Sequence, residues 1–220
     1  MANGKLPSLS LLRISHDHMG SFGSALGGVN TPERQQADCD LALGKIVEAV
    51  ANSPYAKDTL IIITEDDVQD GPDHVDSHRG TAFVAGPYVK KGAVVKTRYS
   101  QVNALRTIED ILGTQHINLN TAFQEPMEDV FDVKSSGEWN YVADASTALQ
   151  GTTVVRALER NKELRYAAGP RITPTHDAAY WDRVTAGFDF STADQVPPAR
   201  FNRVLWTGLK GDAPYPGRPF

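Results

Sequence analysis

The chain alternates between two hydrophobic periods. Residues 9–14 read Leu-Ser-Leu-Leu-Arg-Ile, a strand-like run. At Thr31-Pro32 the period changes. Threonine suits an N-cap and proline the first helical position, so a helix is predicted from there to about residue 51. Leu43, Ile46, Val47 and Val50 fall at i, i+3, i+4 and i+7, which makes one buried face. Asp38 and Asp40 fall on or near its polar side. Ser53-Pro54 ends the helix, and residues 59–64, Thr-Leu-Ile-Ile-Ile-Thr, read as a buried strand. A helix crossing between two apolar strands is a βαβ unit. The pattern therefore predicts an α/β fold with a mostly parallel sheet flanked by helices.

Further along, residues 81–86 read as another short strand, closed by Pro87. Lys90-Lys91-Gly92 is a turn, and residues 93–97 are extended. Ser100 is placed to cap a helix with Val102, Leu105, Ile108, Ile111 and Leu112 inward, stopped by Gly113. Beyond residue 133 the pattern weakens. One helix is predicted over 147–160, a Gly/Pro/Thr-rich loop over 166–178, and a last amphipathic helix carrying Phe201, Val204, Leu205 and Leu209. The expected organisation is one domain over residues 1–220. Its core is 1–133, and 134–220 form an extension of helices and loops.

Composition narrows the class. With 40% hydrophobic and 22% charged residues, the 220-residue chain can bury a core of ordinary globular kind. The net charge of −5 comes without a basic stripe, which argues against a nucleic-acid partner. No run of 18 apolar residues predicts a membrane span. The first residues lack the apolar core of a signal peptide, so localisation stays open. The chain enters its first strand-like run almost at once, which suits a piece of a longer chain. Cys39 is the single cysteine, so neither a disulfide framework nor a cysteine-based zinc site is expected.

Chemistry concentrates in residues 60–79. There the β-branched run gives way to Glu65, Asp66, Asp67, Asp70, Asp73 and Asp76, with His74 and His78 among them. A buried strand that ends in acids delivers them to the sheet edge where open α/β sheets hold their ligands. Crowded carboxylates repel unless a cation or proton lies between them. Oxygen and imidazole donors together suit Zn²⁺, Mn²⁺ or Fe better than Ca²⁺ or Mg²⁺. The competing reading is a solvated acidic loop after a core strand.

Residues 6 to about 131 resemble the phosphoesterase branch of the alkaline phosphatase superfamily. That branch includes phospholipase C-like and acid-phosphatase-like enzymes, and bacterial proteins in which this domain follows a β-propeller. The matching segments are Leu6-Pro-Ser-Leu-Ser, His16-Asp-His-Met, residues 58–79, Gly86-Pro-Tyr-Val-Lys-Lys-Gly and residues 100–113. Residues 198–211 also look like the family's ending. The resemblance implies a metal-dependent hydrolase of small phosphate mono- or diesters, with one or two divalent ions (Zn, Mn or Fe). By motif position, Asp66 and Asp67 would be ligands at the strand end and His78 a ligand from the following loop. His18, with Asp17, would come from the end of the first strand. His74 would be a ligand or a donor to one. Against these stand plainer readings, His18 as a loop cap and His74 as a solvated loop residue. His16, His116 and His176 are expected at the surface without partners.

The chain departs from the family at its start. The segment with the first metal carboxylate and the Ser or Thr nucleophile has no counterpart, and Ile14 stands where an Asp-x-x-x-His spacing before His18 would need Asp. Ser21, Ser24 and Thr31 are nucleophile candidates by residue type alone. The expectation is therefore an alkaline phosphatase-like domain lacking its N-terminal part. It would hydrolyse esters slowly by direct attack of water. The alternative is a metal-binding C-terminal fragment, inactive until a missing N-terminal half or a second copy completes it. A third reading keeps the fold as an interaction module without the chemistry.

Overall fold

The computed structural model describes residues 6–14, 19–65, 80–135, 137–192 and 195–216. Among them the chain forms two compact units. One gathers residues 6–12, 47–65 and 80–141, and the other residues 13–46 and 142–216. Helices and two small sheets make up the regular structure. No helix among the described residues is long and apolar enough to cross a membrane.

The helix expected after Thr31 is α1, Pro32–Ala51. The Thr31 hydroxyl accepts from the Arg34 amide at 3.3 Å, which is the N-cap bond that a threonine before proline provides. Val47 and Val50 are buried as expected, together with Ala37 and Leu41, while Leu43 and Ile46 are half-buried.

In the first unit, β1 (Ile61–Thr64) pairs with β2 (Ala82–Ala85). The pairing is antiparallel, with Thr64 opposite Ala82 and Ile61 opposite Ala85. The expected parallel partner, residues 9–14, is in no strand, and Leu11 is 96% exposed. A strand exists only where its backbone groups find a partner, and the apolar run could not say which segment would supply one. Next come α2 (Gln101–Leu112) and α3 (Leu119–Phe123). Ser100 caps α2 as expected, in a box with Asn103, and Gly113 ends it at φ 64°. The buried face of α2 differs from the expectation. Leu105 and Ile111 are 44% and 55% exposed, whereas Asn103, Ala104, Thr107 and Glu109 are buried. A small apolar cluster of Ala104, Met127 and Val130 packs with Ile62, Val84 and Phe131.

The second unit holds the one parallel pair among the described residues. It joins β3 (Asp144–Ala145) to β4 (Arg165–Tyr166), with α4 (Thr153–Arg160) in the connection. The helix expected over 147–160 is thus broken into a 3-10 turn, Thr147–Leu149, and α4. Gly151, at φ 80°, separates them. Two further helices follow, α5 (Ala178–Val184) and α6 (Pro198–Lys210). Trp181 of α5 is fully buried with Phe22, and Phe201 and Leu205 of α6 complete that cluster. A Cβ on Gly208 would lie 2.3 Å from the Trp181 ring, so only glycine lets α6 pass this close.

Candidate functional site

The six expected metal donors, Asp17, His18, Asp66, Asp67, His74 and His78, lie outside the described residues, as does His16. What is described is the backbone from which their segments depart. β1 ends at Thr64, and Glu65 then commits itself to Thr81. The Glu65 amide donates to the Thr81 carbonyl at 3.1 Å, and Glu65 Oε2 accepts from the Thr81 amide at 3.0 Å. Gln101 Nε2, from the first turn of α2, donates to the Glu65 carbonyl at 3.0 Å. The entry to the acidic segment and the residues just after it are therefore tied at one point.

In the second unit, the backbone just after His18 is held by an amide from α1. Gln35 is 4% exposed. Its Oε1 accepts from the Gly20 amide at 2.9 Å, and its Nε2 donates to the Gly20 carbonyl at 2.7 Å. A Cβ at Gly20 would meet the Phe190 ring at 2.2 Å. The next residue, Ser21, has φ 49° and ψ 38°, a left-handed conformation that a non-glycine residue adopts at a cost of about 1–2 kcal/mol. Phe22 follows, packed against Trp181 with ring centroids 5.6 Å apart.

The hydroxyl candidates separate by environment. Thr31 is 1% exposed and its oxygen caps α1, so it is not available to attack a substrate. Ser24 Oγ donates to the Ser21 carbonyl at 3.3 Å, and Ser21 is exposed. Two histidines expected without partners have them. His116 Nδ1 lies 2.8 Å from Glu109 Oε2, and His176 stacks on Tyr180 at 3.6 Å between centroids. Burial works to raise the Glu109 carboxyl, but the Ile117 amide, His116 and Thr121 outweigh it. The pKa of Glu109 therefore lies below its ordinary value. No group of three or more His, Cys, Asp or Glu among the described residues could hold a metal ion.

A groove of about 520 Å³ lies at the start of α1, lined by Thr31, Arg34, Thr175 and His176. Arg34 is already engaged. Its Nε donates to the Ala148 carbonyl at 3.2 Å, and its Nη1 to Gly28 and Asn30. The clamps at Gly20 and Glu65 had no signal in the sequence. Gln35 acts across 15 residues and Gln101 across 36, and neither spacing is marked by a motif. Comparison of the chain with protein-family models, with curated proteins and with solved structures finds no match.

Proposed function

We propose that this chain hydrolyses phosphate mono- or diesters with the help of a divalent ion, Zn, Mn or Fe, one or two per chain. The observation that carries the reading is the sequence of residues 60–79, in which a β-branched strand runs directly into six acids and two histidines. Asp17, Asp66 and Asp67 would hold the ion through carboxylate oxygens, and His18, His74 and His78 through imidazole nitrogens. The donor set fits such an ion, because oxygen and imidazole together favour transition metals of this group. Glu65 Oε2 accepts from the Thr81 amide, and the proposed ligand set starts at the next residue, Asp66. With this goes the finer fold reading, a mostly parallel sheet of the alkaline phosphatase kind in which β1 is one strand.

When bound, the ion supplies Lewis acidity, which polarises a phosphoryl oxygen and makes water a better nucleophile. The capped and buried Thr31 hydroxyl supports attack by water rather than by that side chain. Protein prepared without chelator should carry roughly one to two equivalents of transition metal per chain by elemental analysis. It should cleave an aryl phosphate ester, lose that activity on chelation and regain it with metal. Asp66→Asn and His78→Ala should each weaken metal binding and remove turnover. A folded, metal-exposed protein that stays metal-free overturns the reading. Metal retained without turnover of any ester points instead to the fragment, completed by an N-terminal half or a second copy.

A further inference from the structure

We propose that the groove at the start of α1 binds a small organic anion through a carboxylate or phosphate group, with Arg34 as its anchor. A guanidinium carries five N–H donors and a permanent positive charge. Arg34 is half-buried, and it spends Nε on the Ala148 carbonyl and Nη1 on the Gly28 carbonyl and Asn30 Oδ1, at 3.1–3.2 Å. All of these acceptors are neutral, and Arg34 forms no ion pair among the described residues. Its Nη2 has no bond among them and is not sealed from solvent. The side chain is thus a charge held in a fixed orientation, with the Nη2 donors unspent and no counter-charge. An oxyanion supplies both the charge and the acceptors. Because the guanidinium is already held, little ordering remains for binding to oppose.

The groove has room for more than an inorganic ion. Its volume of about 520 Å³ falls within the range of small-molecule sites, about 300–1,000 Å³. Pro174, Ala178 and Ala179 give it apolar surface for the body of a ligand. Asn30 Nδ2, the Thr173 hydroxyl and the His176 ring nitrogens have no hydrogen-bond partner among the described residues, and all three residues line the groove. Asp177 is the one carboxylate among the lining residues, and its Oδ1 accepts from the Tyr180 amide at 2.9 Å as the cap of α5. Glu33, beside Arg34 in sequence, does not line the groove, and its Oε1 accepts from the Thr175 amide and hydroxyl. None of the lining residues is among the proposed metal donors, so the inference stands apart from the metal-site reading. The bland account is that Arg34 only ties α1 to the backbone at Gly28 and Ala148. It needs no ligand and predicts none.

The test uses the full-length chain with benzoate and phenylphosphonate, which share a ring and differ in head group, and with benzamide as their neutral analogue. All are titrated at constant ionic strength. NMR of the histidine rings reads the groove itself, the His176 resonances being identified by their loss in His176→Gln. In the wild type, at least one anion should shift them saturably and benzamide should not. A response to benzoate alone identifies a carboxylate ligand, to phenylphosphonate alone a phosphate, and to both the shared oxyanion chemistry. Asn30→Asp keeps an oxygen for Arg34 Nη1, removes the Nδ2 donor and supplies the missing counter-charge. It should melt no lower than the wild type and bind the anion at least about tenfold more weakly. No saturable shift with either anion, an equal shift with benzamide, or wild-type affinity in Asn30→Asp overturns the proposal. Each of these results leaves the metal-site reading untouched, since neither the probes nor the variant involves its donors.

Discussion

The two units hold themselves together by different means. The second unit buries large rings: Trp181 with Phe22, then Phe201 and Leu205, edged by Phe188 and Phe190. Its buried threonines bond to backbone within their own turns, as Thr185 does to the Trp181 carbonyl at 2.7 Å and Thr152 to Leu149 at 2.6 Å. The first unit buries a small cluster of Ala104, Met127 and Val130, and its polar side chains reach further. Thr107 accepts from the Met127 amide at 2.8 Å, and Asn103 donates to the Glu125 carbonyl at 2.9 Å. Arg106 Nη1 donates to the Thr121, Ala122 and Gln124 carbonyls, the free end of α3, at 3.0–3.1 Å. The second unit adds to its apolar volume long-range polar ties of its own, at Gln35 and Arg34, whereas the first unit, with its small cluster, relies mainly on hydrogen bonds. The difference teaches that buried position need not follow hydrophobicity where a helix uses its polar face to anchor the chain that follows.

The largest effect that could break this contrast is at Trp181. Trp181→Ala removes the central ring of the aromatic cluster and should cost about 3–5 kcal/mol in urea unfolding. A cost below 1 kcal/mol would show that the second unit does not depend on that ring. A smaller loss is expected in the first unit. Thr107→Val is close in shape but leaves the Met127 amide buried without an acceptor, and should cost about 1–3 kcal/mol. A neutral result would mean that hydrogen bonding is not what orders this unit.

The smallest effect depends on pH. The folded pKa of Glu109 lies below its ordinary value of 4.5. The stability it contributes is therefore present above that value and is lost as pH falls through the folded pKa. Melting curves of wild type and Glu109→Gln should differ most above about pH 4.5 and converge as acid is added. A constant difference across that range would show that the pair with His116 and Ile117 is held by shape rather than by charge.

Much of the local structure was legible in the residues. Thr31-Pro32 marked the start of α1, and Ser100 with Gly113 bounded α2, because caps and left-handed stops are decided within a few residues. The β-branched run at 61–64 was legible as a strand for the same reason. The short helix α5 escaped notice, although Asp177, whose carboxylate accepts from the Tyr180 amide at 2.9 Å, was a capping signal of the same kind. Of the candidate site, the clustering of acids and histidines is visible in the sequence, and those residues lie outside the described structure.

What the sequence determined by itself was therefore local: the caps, the helical period of α1, the β-branched character of β1 and the residue types available for chemistry. Only the tertiary structure decided that β1 pairs with β2 in antiparallel fashion while residues 9–14 form no strand. It also decided that α2 turns Asn103, Thr107 and Glu109 inward, and that Gln35 grips Gly20. The physical reason is the same in each case. Backbone and amide groups must find partners once water is excluded, and which partner is within reach is set by packing between segments distant in sequence.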